Sequence, residues 1–170
     1  RDRLSLVGSE MCIRDRGMFT TLSTFTRLAQ AKGTKLLISD TVGFISRLPA
    51  YMVDAFKSTL QELSYSAVVL LVLDISEPSE EIVKKLNSCI RVMYELGVPM
   101  TKVVYILNKA DLTSVEDVED KSARLGLPHS TQHVIPMSAK TGYKIETLKD
   151  VMTLLVMGDP KPLIDEVSSY

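Results

Sequence analysis

"AVVLLVLD", residues 67–74, decides the fold. Alanine, valine and leucine run without a break and then stop on an acid. A strand with one wet face alternates apolar with polar residues. An unbroken run of this length suits a strand covered on both faces, the usual condition of a parallel sheet. It is too short to span a bilayer, which takes about 20 apolar residues.

Similar punctuation recurs on either side. "KLLIS" (35–39) ends at Asp40, "KVVYILN" (102–108) ends at Asn108, and "HVIPMS" (133–138) ends at Ser138. Helical spacing separates these strands. Met52, Phe56, Leu60 and Leu63 share one face, and Ile82, Leu86, Cys89, Met93 and Leu96 share another. Ser76 and Ser79 are candidate caps for the second of these helices, and Gly97 and Pro99 stop it. Residues 115–125 form a charged helix. The segment 143–156 turns Ile145, Leu148, Val151 and Leu155 inward before Gly158-Asp159-Pro160 ends it. Strands alternating with helices imply βαβ units in a doubly wound, mostly parallel sheet.

The bulk numbers suit one domain of this kind. Of 170 residues, 45% are hydrophobic and 24% charged, and the formal net charge is −1. That balance points to no DNA or other polyelectrolyte partner. No membrane span and no secretory signal is read, so a cytoplasmic location is expected. Two cysteines, Cys12 and Cys89, build no disulfide framework. His129 and His133 read as loop residues beside Pro128.

In such sheets ligands bind at the carboxyl ends of the strands, and there the polar chemistry collects. "NKAD" (108–111) follows one strand. The Asp111 carboxylate can accept two parallel hydrogen bonds from guanine's ring N–H and amine, an edge adenine lacks. Asn108 can reach the Hoogsteen edge and tie the loop to its neighbours, and the Lys109 stem can lie along base and ribose. "SAK" (138–140) follows the next strand. Its use would be the Ala139 N–H aimed at the guanine oxygen, with Ser138 bracing Asp111 and Lys140 completing the motif.

"DTVG" (40–43) suits phosphate sensing. Asp40 would hold a Mg²⁺-bound water, and the Gly43 N–H would meet a γ-phosphate. Thr20 and Thr21, in "MFTTLSTFTR" (18–27), are candidates to cap Mg²⁺, Thr21 slightly preferred. An ordinary edge strand would carry the same residues. Phe44 stands directly after Gly43, where a polar residue would hold an attacking water.

Residues 1–16 differ in character. Arg1-Asp2-Arg3 returns as Arg14-Asp15-Arg16, and the segment has no amphipathic period. It resembles the conceptual translation of a sequencing adapter. The expected division is residues 1–16 as an adapter-derived artefact, 17–158 as a partial nucleotide-binding domain from the first switch to the last helix, and 159–170 as a tail.

Together, "MFTTLSTFTR", "DTVGFISRLPAYMVDAFKSTLQEL" and "VVLLVLDIS" resemble the HflX family, within the Obg–HflX group of translation-factor-type GTPases. The Leu48-Pro49 pair and the helix after it are the specific part. The resemblance implies a P-loop GTPase (Ras-like) fold, binding of GTP/GDP and Mg²⁺, slow hydrolysis, and association with the large ribosomal subunit, with links to ribosome splitting or rescue. It also implies an apolar residue at Phe44, a gate that packs in the switch while other groups orient the water.

One departure matters. GxxxxGK[ST] occurs nowhere; after Gly8, Ile13 and Arg14 stand where the second Gly and the Lys belong. An N-terminally truncated domain lacking its first strand and phosphate loop is therefore expected, a GTPase in its parent and inactive as this chain. The apolar Leu4–Val7 can fill the resulting gap by accident. The competing reading is a non-catalytic interaction module with a switch-like surface. A third, an enzyme using Asp40 and Asp74 as an acid pair, lacks an accompanying nucleophile.

Overall fold

The computed structural model describes residues 2–8, 25–40, 62–127 and 133–157. Its strands are β1 (Asp2–Gly8), β2 (Phe25–Ala31), β3 (Thr34–Asp40), β4 (Val68–Asp74), β5 (Val103–Asn108) and β6 (Val134–Pro136). Its helices are the four-residue α1 (Glu62–Tyr65), α2 (Ser79–Glu95), α3 (Val115–Arg124) and α4 (Ile145–Met157). They form one six-stranded sheet in the order β2-β3-β1-β4-β5-β6. Every pairing is parallel except β2 with β3.

The unbroken run at β4 becomes a strand with both faces covered. Val69, Leu71 and Leu73 join Val103, Tyr105 and Leu107 of β5 beneath α2 and α3. Val68 and Leu70 join Val104 and Ile106 on the opposite face, against Val151 and Met152 of α4. Each leucine so buried contributes about 1.5–3 kcal/mol. Ile82, Leu86, Cys89 and Met93 point into the first core as their spacing requires, and Leu96 packs at its margin. Ile145, Leu148 and Leu155 lie against the second. Of the expected helix after residue 51, Leu63 is fully buried; Met52, Phe56 and Leu60 lie outside the described residues.

A strand does occupy the first-strand position, and Asp2–Gly8 supplies it. It lies between β3 and β4, with Leu6 level with Asp40 on one side and Leu70 on the other. Two parallel strands held one strand-width apart present unpaired backbone groups to the slot between them. A β-competent segment that satisfies those groups is stabilised there by backbone pairing.

Three local readings change. Pro78, not a serine, sits at the N-cap of α2, and no side chain caps it. Ser76 turns back toward Asp74 instead. The last strand is three residues long, shorter than its apolar run. The β2–β3 hairpin turns at Lys32 and Gly33, with φ 47° and 82°. Two positive φ values make a tight turn whose twist matches the strands. Lys32 then reaches Asp150 of α4 at 2.5 Å.

Candidate functional site

The order in which strands are added reverses at β1, so the crevice for a ligand opens at the carboxyl ends of β1, β3 and β4. Gly8 ends β1 at this edge, and Asp40 ends β3, where its side chain is exposed. Asp74 and Asn108 end β4 and β5 directly opposite one another in register. Thr20, Thr21, Gly43 and Phe44 lie outside the described residues.

Two loops meet at the β5–β6 side. Asn108 Oδ1 accepts the Ala139 N–H at 3.0 Å. The Ala110 N–H donates to the Met137 carbonyl at 3.0 Å. Asn108 thus ties "NKAD" to "SAK", one of the two uses its side chain allows. The same bond occupies the Ala139 N–H, which the sequence reading aimed at a base oxygen.

Ser138 is fully buried. Its Oγ accepts the Thr141 N–H at 3.2 Å, and its carbonyl accepts the Gly142 N–H at 3.0 Å. Its N–H donates to the Tyr143 carbonyl at 3.1 Å. Ser138 therefore closes its own loop, and among the described residues no hydrogen bond joins it to Asp111. Ala139, Lys140 and Asp111 are exposed at the loop surfaces.

Lys109 adopts a left-handed backbone, φ 65° and ψ 30°. Such a conformation costs a side-chain-bearing residue about 1 kcal/mol or more and persists where neighbours hold it. Here Lys109 Nζ donates to Asp74 Oδ2 at 2.8 Å. The Asp74 side chain is 6% exposed, that of Lys109 37%. Asp74 Oδ1 also accepts the Ser76 N–H at 2.9 Å and the Ser76 hydroxyl at 2.6 Å. These hydrogen bonds satisfy a carboxylate that burial takes out of water. The pairing of Asp74 with Lys109 was missed in the sequence. The only signal was an acid ending β4 next to the strand that ends in Asn108.

Further ties fix the β4 end. The Ile75 N–H donates to the Asn108 carbonyl at 3.0 Å. Lys121 of α3, nearly buried, donates to the Ile75 carbonyl at 2.9 Å and pairs with Asp117 at 2.8 Å. Lys121, with Thr113, holds the Asp117 carboxyl below its ordinary value. Cys89 lies in the first core, where burial pushes its thiol up to about 12.

Among the described residues no group of three or more His, Cys, Asp or Glu side chains could hold a metal. Asp40 alone is the kind of ligand Mg²⁺ uses when phosphates and waters complete its shell, so this single exposed carboxylate fits that role. No helix among them is long and apolar enough to cross a membrane.

No protein-family model matches the chain. GTPase HflX of Thermococcus kodakarensis is 39% identical over 151 residues, covering 85% of this chain and 34% of that protein. GTPase HflX of Akkermansia muciniphila is 42% identical over 141 residues, covering 82% of this chain and 31% of that protein. The chain thus spans about a third of the length of these curated relatives. A GTP-binding protein from the hyperthermophilic archaeon Sulfolobus solfataricus, solved in complex with GDP, superposes with a TM-score of 0.71 at 26% identity. It covers 92% of this chain and 53% of its own. The FeoB G-domain from Methanococcus jannaschii, at 19% identity and a TM-score of 0.58, matches over 92% of this chain and 97% of its own, a likeness of fold alone. Over most of its length, then, the chain is homologous to the HflX GTPases and carries the fold of a P-loop GTPase domain.

Proposed function

We propose that residues 17–158 are a partial guanine-nucleotide domain of an HflX-type GTPase, from the first switch to the last helix, with residues 1–16 foreign to it and 159–170 a tail. The observation that carries this is the Asn108–Ala139 hydrogen bond. It supports "NKAD" and "SAK" acting as one base-reading surface at the ends of adjacent parallel strands. In this reading Asp111 accepts from the guanine edge. Lys109, steadied by Asp74, lies along the base and ribose. Asn108 keeps the two loops together. Because Asn108 already engages the Ala139 N–H, either Asn108 turns when base binds, or the neighbouring Lys140 N–H serves the guanine oxygen.

At the other end of the crevice Asp40 holds a water of the Mg²⁺ shell, with Thr21 or Thr20 contributing a hydroxyl. Bound Mg²⁺ would neutralise charge on the phosphates. Gly43 meets the γ-phosphate through its backbone, and Phe44 shields the attacking water without bonding it. A side chain that cannot orient water implies slow hydrolysis that a partner accelerates. The partner implied by the HflX likeness is the large ribosomal subunit in the cytoplasm, with ribosome splitting or rescue as the outcome.

The chain holds no GxxxxGK[ST] sequence. The amides and lysine that cradle phosphates are therefore missing from it. This favours weak binding and no turnover by the chain itself, and it is the one feature supporting the alternative, a non-catalytic interaction module. Titration with a fluorescent GDP separates the two. The chain should bind weakly, and a version with residues 1–16 replaced by a strand and GxxxxGK[ST] loop should bind tightly and only with Mg²⁺. Weak binding by both would overturn the GTPase reading, and equally tight binding by both would overturn the role given to the loop.

A further inference from the structure

Beside the base loops, on the side of α3, the surface folds into a cleft of about 500 Å³. That is within the roughly 300–1,000 Å³ of sites that enclose small ligands or side chains. Val115, Val118, Pro136 and Tyr143 give it an apolar lining, and Asp111, Glu119 and Lys144 supply its charges. Val115 and Tyr143 are 67% and 50% exposed, and Leu112, next to Asp111, is 62% exposed. Apolar groups left open around a concavity mark a surface that another molecule covers.

The charges choose the occupant. Lys144, the one cation lining the cleft, places its Nζ 5.5 Å from the Tyr143 ring centroid, a contact that leaves its positive charge in the cleft. On α3, Asp117 pairs with Lys121 and Asp120 with Arg124. Glu119 and Asp111, which both line the cleft, have no cation partner among the described residues. The cleft therefore sets two carboxylates against one lysine, and offers an apolar surface edged by one negative charge in excess. A basic side chain could lay its aliphatic stem along Val115 and Tyr143 with its charge at Glu119.

We infer that this cleft docks a polypeptide segment that presents a large apolar side chain beside an arginine or lysine. The inference goes beyond the GTPase reading and needs no nucleotide, so the two can fail separately.

The test maps amide shifts of the full chain by NMR during titration with acetyl-Arg-Leu-Arg-amide, acetyl-Glu-Leu-Glu-amide and the RNA trinucleotide UUU. The basic peptide alone should shift the Val118, Glu119 and Tyr143 amides. Glu119 is exposed, so Glu119→Lys keeps the fold and should weaken this binding about tenfold or more. Glu80→Lys, at the start of α2, should leave it unchanged. No response to the basic peptide would overturn the inference. So would shifts of the same amides by the acidic peptide or the RNA, undiminished binding by Glu119→Lys, or equal loss with Glu80→Lys.

Discussion

Lys109 and Asp74 lie 35 residues apart in the chain and meet at 2.8 Å across the ends of neighbouring strands. The ion pair ties the base loop to β4 and holds Lys109 in its left-handed backbone. Asp74→Ala should remove the partner of a partly exposed ammonium and strand two Ser76 donors. The expected loss is about 1–3 kcal/mol, below the figure for a fully buried pair because Lys109 meets solvent. Urea unfolding measures it. A loss within about 0.5 kcal/mol of zero would show that the pair holds nothing.

Asp111 is the residue on which base choice rests. In a chain given a GxxxxGK[ST] loop, Asp111→Asn should weaken GDP binding by about 2–4 kcal/mol and shift preference toward the xanthine nucleotide. Competition of the two diphosphates against a fluorescent analogue would decide it. Unchanged preference would remove Asp111 from base reading.

Burial sets the behaviour of Cys89. With its thiol pushed up to about 12 and its side chain inside the first core, almost none is thiolate at neutral pH. Iodoacetamide should therefore modify Cys89 only as the chain unfolds, with a labelling rate that follows the urea transition. Mass spectrometry of the Cys89 peptide distinguishes it from Cys12. Rapid labelling in native buffer would contradict the packed core.

Acid should loosen the start of α3. Lys121 and Thr113 hold the Asp117 carboxyl below its ordinary value of 3.8. A depressed carboxyl contributes stability that is present above that value and is lost as pH falls through the folded one. Asp117→Asn should therefore be less stable than the parent at pH 7, and the gap should be narrower at pH 3. Paired urea titrations at the two pH values test this, and a gap that widened in acid would reverse the sign.

Leu71 is fully buried in the first core. Leu71→Ala should cost about 2–5 kcal/mol, the usual range for emptying a packed leucine site. Calorimetry would register it as a lower melting temperature.

Much of the fold was legible because burial leaves a periodic mark. Val68 to Leu73 read as doubly covered, and Ile82, Leu86, Cys89 and Met93 read as one face, because each pattern follows from a local repeat. The polar strand ends were legible for the same reason. The β2–β3 hairpin was passed over, although Lys32-Gly33 carried its turn signal. Ser76 looked like a cap because caps and strand-end turns draw on the same hydroxyl residues. The first switch and Gly43-Phe44 stand on the sequence alone.

By itself the sequence determined the alternation of strands and helices, the doubly buried centre of the sheet, and the collection of "NKAD", "SAK" and Asp40 at strand ends. Tertiary structure decided the partners. It placed Asp2–Gly8 between β3 and β4, set Asp74 level with Asn108, gave Lys109 its carboxylate and gave the Ala139 N–H to Asn108. Periodicity is a property of neighbours along the chain. Which donor wins a given acceptor depends on strand order and register, and these bring together groups that the sequence keeps 31 and 35 residues apart.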